Sequence, residues 1–63
     1  MNFTPEQIDN WHEYERVRQS GLFNMYDPGA RRMSGLNEAE YRYVMRHYVE
    51  LRDAAESQGS DHA

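Results

Sequence analysis

The residues able to do chemistry in this chain are few, and their spacing speaks against most chemistries. Three histidines, His12, His47 and His62, share no metal-ligand spacing, and no pair stands at i, i+4 as a helical zinc site needs. With no cysteine present, disulfides, thiolate zinc sites and thiol catalysis are excluded. Ser20 and Ser34 have no histidine or acid at motif spacing, so no activated nucleophile or acid–base pair is visible. The expectation is a protein that is not an enzyme and that carries no cofactor and no metal.

The remaining chemistry is recognition. All seven basic residues are Arg, a side chain suited to bidentate pairing with carboxylates. Arg18 and Asn24 are the residues that local structure explains least. Arg31, Arg32, Arg42 and Arg46 are spaced to form a basic patch on one side. Eight aromatics are many for 63 residues, and Tyr with Arg is the pairing that protein interfaces favour. Tyr43 lies off the apolar stripe, beside Arg42 and Arg46, and is expected to be exposed. Eleven acidic residues give a net charge of −4. Glu13, Glu38, Glu40, Glu50 and Asp53 can mimic phosphates towards a basic partner.

Three helix-start signals place these groups. Thr4-Pro5-Glu6-Gln7 combines a cap, a proline for the first turn and a capping-box Gln. Ile8, Trp11, Tyr14 and Val17 then recur every three residues, which makes a wide apolar band. Ser20-Gly21 stops this long helix. Asp27-Pro28 starts a short helix to about Met33, and Ser34-Gly35 stops it. Asn37-Glu38-Ala39-Glu40 starts a last long helix running to about Glu56. There Tyr41, Val44, Tyr48, Leu51 and Ala55 form a heptad-like stripe. That stripe can pack on the first helix or on its own copy in a homodimer, not on both. The expected fold is all-α: long, short, long helix in a compact three-helix arrangement. It comprises one domain over residues 1–56 and a flexible tail over 57–63.

Between the first two helices the connector Arg18-x-Ser20-Gly21-x-x-Asn24-Met25-Tyr26-Asp27 is dense in signals. Leu22, Phe23, Met25 and Tyr26 are expected to plug the gap between the long helices, with Asn24 bonding its own turn. This pattern resembles one found in small uncharacterised bacteriophage proteins, Arg-x-Ser/Thr-Gly-x-x-Asn-Met-Phe/Tyr-Asp between helices. The resemblance covers roughly Trp11 to Tyr48. It implies a phage origin, and with it the tasks such proteins perform, blocking host enzymes or host immunity, a CRISPR-type or other defence complex included.

Residues 30–45 also look like a helix-turn-helix, with Gly35 in the turn and Tyr41 and Val44 six and nine positions on. Arg31, however, stands where a small residue is usual. Glu38 and Glu40 would face phosphates at the start of the second helix, so nucleic acid is a disfavoured partner. No apolar run approaches the ~18 residues of a membrane span. The first residues lack the basic and apolar regions of a signal peptide. A cytoplasmic location in a bacterial host cell is expected.

The leading expectation is therefore a steric inhibitor of a bacterial host protein, with Arg18, Asn24, Tyr26, Arg31, Arg32, Glu38, Glu40 and Tyr43 as candidate contacts. A small nucleic-acid-binding regulator, and an oligomeric module that sequesters a nucleotide signal, are the alternatives.

Overall fold

A computed structural model describes residues 3–60. Four helices follow one another: α1 (Pro5–Ser20), α2 (Pro28–Ser34), α3 (Glu38–Arg46) and α4 (Tyr48–Ser60). No strand occurs among the described residues. The all-α class and the three helix starts are as expected. The last long helix is instead two helices, so among the described residues there are four helices and not three. Helical backbone also continues past Glu56 to Ser60; the rest of the expected tail, residues 61–63, lies outside the described residues.

The starts of the first three helices, and the stops of the first two, are local chemistry. The Gln7 amide donates to Thr4 Oγ1 at 3.1 Å, and the Thr4 amide donates to Gln7 Oε1 at 2.9 Å. Asn37 and Glu40 repeat this capping box at 2.8 and 2.9 Å. Each box satisfies two amides that a helix start leaves open. Asp27 caps α2 by accepting from the Gly29 amide at 2.7 Å. Gly21 and Gly35 end α1 and α2 with φ of 70° and 76°, a left-handed conformation that costs glycine little.

α1 is the element that touches all three others. Its Ile8, Trp11, Tyr14 and Val17 are buried with Ala30 of α2, Leu36 of the following turn, Tyr41 and Val44 of α3, and Leu51 and Ala55 of α4. The apolar stripe of α3 and α4 is thus spent on α1, and a homodimer would need another surface. Arg16 fastens the end of α2 by donating to the Met33 carbonyl at 3.1 Å. Among the described residues, the Trp11 indole N–H is the one buried side-chain polar atom without a partner.

The break at His47 carries no Gly or Pro. His47 has φ −111° and ψ 26°, and its amide still donates to the Tyr43 carbonyl at 3.0 Å. Its ring lies 4.5 Å from that of Tyr43, and Phe3, arriving ahead of α1, meets both rings at 6.4 Å. The bend lets two straight segments, carrying Val44 and Leu51, both reach the side of α1. It also covers Tyr43, which is half-buried against Phe3 and not exposed as expected.

Leu51 is fully buried, so Leu51→Ala should cost roughly 2–5 kcal/mol. A core this small rarely supplies more than about 3–5 kcal/mol. Urea titration followed by circular dichroism should therefore find the variant largely unfolded without denaturant. A wild-type midpoint would show that α4 does not pack on α1.

Candidate functional site

The candidate contacts lie mainly in and after the connector, and the structure divides them into three groups.

The first group is tied into the fold. Arg18 Nε donates to Glu15 Oε2 at 3.0 Å, and its Nη2 donates to Oε1 of the same carboxylate. Gln19 Nε2 donates to Oε1 at 3.2 Å, and the Tyr48 hydroxyl donates to Oε2 at 2.5 Å. Glu15 is buried, and four donors satisfy its charge. Burying a carboxylate is tolerated only with such partners. The Arg18 guanidinium also lies over the Tyr48 ring, 5.6 Å from its centroid. The hydrogen bond from Arg18 holds the Glu15 carboxyl below its ordinary value of 4.5, against the opposing effect of burial, with help from the Tyr48 hydroxyl. Burial first, and then the bond to Glu15, pushes the Tyr48 phenol up. The carboxylate partner of Arg18 is thus on its own helix. Spacing puts Glu15 within reach of Arg18, three residues on, but does not by itself mark it as the buried acid.

The second group makes the connector. The Ser20 hydroxyl donates to the Val17 carbonyl at 2.6 Å and accepts from the Leu22 amide at 3.3 Å. Asn24 Oδ1 accepts from the Tyr26 amide at 2.9 Å, and the Asn24 carbonyl accepts from the Asp27 amide at 2.8 Å. This is the expected self-bonded Asn turn. The Tyr41 hydroxyl donates to the Met25 carbonyl at 2.7 Å, which holds the connector against α3. Phe23 packs inward over Gly29, where a Cβ would approach the ring to 3.2 Å. Half of the expected plug is corrected. Phe23 and Met25 are partly buried, but Leu22 and Tyr26 are 75% and 85% exposed.

That exposure is not forced by the turn. Ser34-Gly35-Leu36 ends α2 with the same design: Ser34 donates to the Arg31 carbonyl at 2.6 Å and accepts from the Leu36 amide at 3.2 Å. There the leucine is 8% exposed. One local motif therefore serves once as a core anchor and once as a display.

The third group lines grooves. A groove of about 440 Å³ between the connector and α3 brings together Tyr26, Arg31 and Glu38, with Arg42 and Met45. Glu38 is paired with Arg42 at 2.6 Å, so the expected four-arginine patch reduces here to Arg31 and a neutralised Arg42. Arg32 and Arg46 are exposed outside it. Glu40 and Tyr43 line a second groove of about 300 Å³ with Gln7 and Asn10 of α1. Glu40 is engaged in its capping box there. Among the described residues no three His, Asp or Glu converge as a metal site would require. No helix among them is long and apolar enough to cross a membrane.

Because the folded Glu15 carboxyl titrates below its unfolded value, its contribution is complete above about pH 4.5 and is lost as pH falls through the folded value. Thermal melts between neutral and acid pH should show wild type losing more stability below that point than Glu15→Gln does. Parallel profiles would remove Glu15 from the acid-sensitive set. Tyr48→Phe, which removes one donor to a charged acceptor, should cost roughly 1.5–3 kcal/mol in the same melts at neutral pH.

Comparisons with protein-family models, with curated proteins and with solved structures return no match.

Proposed function

We propose that the chain is a non-enzymatic, phage-encoded protein that binds a bacterial host protein and blocks it sterically, with the connector as its leading surface. The observation that carries this reading is the display of Leu22 and Tyr26 on a turn that is itself hydrogen-bonded at both ends. Apolar area left in water is area that a partner can bury. Tyrosine is among the residues that dominate binding energy when buried at an interface. A turn whose backbone is already fixed loses little entropy on docking. A complex of bacterial defence is the target that fits the phage resemblance.

Catalysis is not proposed. The Ser20 and Ser34 hydroxyls both donate to backbone carbonyls of their own helices. A DNA-binding role has weaker support, since Glu38 and Glu40 stand in the first turn of α3, the end that would enter a groove. The nucleotide-binding alternative would need Arg18, Asn24, Tyr26 and Arg31 to line one pocket, with arginine on the phosphate; Tyr26 and Arg31 do share a groove, but Arg18 is committed to Glu15 and Asn24 to its own turn.

The test is affinity capture from bacterial cells with tagged wild type and with Leu22→Ser/Tyr26→Ala, followed by reconstitution with the purified partner. Both proteins should have the same helical circular dichroism. Wild type should bind one partner, and the double variant should bind it at least about tenfold more weakly. Equal binding by the two proteins, or the lack of any partner that survives reconstitution, contradicts the proposal.

A further inference from the structure

We propose that the groove between the connector and α3 takes a carboxylate side chain of the bound protein on Arg31, with an apolar neighbour seated on the methionines beside it. This deepens the proposed function and rests on it for the identity of the partner. Arg31 lines the groove together with Met25, Tyr26, Pro28, Tyr41 and Met45. Apolar walls thus stand beside the charged Asp27, Glu38 and Arg42, which also line the groove, and the exposed Tyr26 ring is at the rim.

Of the two arginines that line the groove, Arg31 is the one without a carboxylate partner among the described residues. Arg16, Arg18 and Arg42 each reach a carboxylate three or four residues away on their own helix. Arg31 has Asp27 at the equivalent distance in sequence, but that carboxylate is turned to the Gly29 amide at 2.7 Å as the cap of α2. Glu38, the other acid of the groove, is held by Arg42. Arg31 is half-buried, and no hydrogen bond or ion pair reaches its guanidinium from the described residues. A guanidinium without a partner among the described residues, on a half-buried side chain that lines a groove, complements a carboxylate, which it can hold by two parallel hydrogen bonds. The nearby Asp27 decides against phosphate. With Glu38 offset by Arg42, it is chiefly Asp27 that repels a doubly charged group more than a singly charged one, and Arg31 is the one uncommitted cation of the groove to offset it.

A library of random peptides displayed against the immobilised full chain tests this directly. Enriched peptides should carry Asp or Glu at one fixed position next to Leu, Met or Phe. For the best of them, Arg31→Gln should weaken binding about tenfold or more. The matching Glu→Gln or Asp→Asn change in the peptide should do the same, and the two together should lose little more than either alone. Arg32→Gln should leave the affinity unchanged, and circular dichroism should confirm that both variants fold. Enrichment without an acidic position, no enrichment at all, or additive losses would overturn the inference. So would AMP binding that depends on Arg31 while the acidic peptides do not bind. If a host partner is still captured through Leu22 and Tyr26 in those cases, the inference fails alone and the proposed function stands. Acidic peptides selected through Arg31 with no host partner captured would mean the opposite: the groove binds acids, and the proposed function fails.

Discussion

Everything in this fold depends on one helix being able to bury apolar side chains in several directions. The apolar residues of α1 recur every three positions, and each such step falls about 60° short of a full turn. Ile8, Trp11, Tyr14 and Val17 therefore sweep about half of the circumference. A strict heptad stripe would offer one narrow seam, enough for one partner helix. The sweep offers room for α2, α3 and α4 on a single core element. A chain of 63 residues has little surface to spare. Using one helix as a shared spine is a way to give each short helix a partner.

Two consequences follow from that geometry. At the edge of the swept band a polar side chain must enter the interior, and Glu15 does so with Arg18, Gln19 and Tyr48 arranged around it. This fixes α4 against the end of α1 by a directional contact, where apolar packing alone would permit sliding. The connector, meanwhile, is left with little structural duty. Phe23 and Met25 suffice to close the core beside it, and Tyr41 anchors its backbone. Leu22 and Tyr26 are then free to face outward. A rigid scaffold and an exposed aromatic turn are separate parts of the molecule, so the display can vary without loss of the fold.

What was legible in the sequence was the chemistry that acts over three or four residues. Thr4, Asp27 and Asn37 as caps, Gly21 and Gly35 as stops, and Asn24 in its own turn all depend on neighbours in the chain. The break at His47 was not legible, because it comes from the fit of two segments to α1 and from Phe3 packing across the bend. The same holds for Tyr43, whose cover arrives from the other end of the chain. Leu22 and Leu36 make the limit plain: each follows a Ser-Gly stop with the same hydrogen bonds, yet one is exposed and the other buried. Local pattern sets the turn, and only the tertiary surroundings decide what lies beneath the side chain. Arg18 is the opposite case. Its partner stands only three residues away, but acids are so seldom buried that the pattern alone gives Glu15 no special place.

If the connector is the docking surface, the free protein already holds it in the shape that a partner would meet. Backbone ¹⁵N relaxation measured at Leu22, Asn24 and Tyr26 tests this most directly. The expected order parameters lie near those of the helices, about 0.85. Values below about 0.6 at these positions, with α1 remaining rigid, would mean that the exposed aromatic turn is a loose loop, and would contradict a preformed surface.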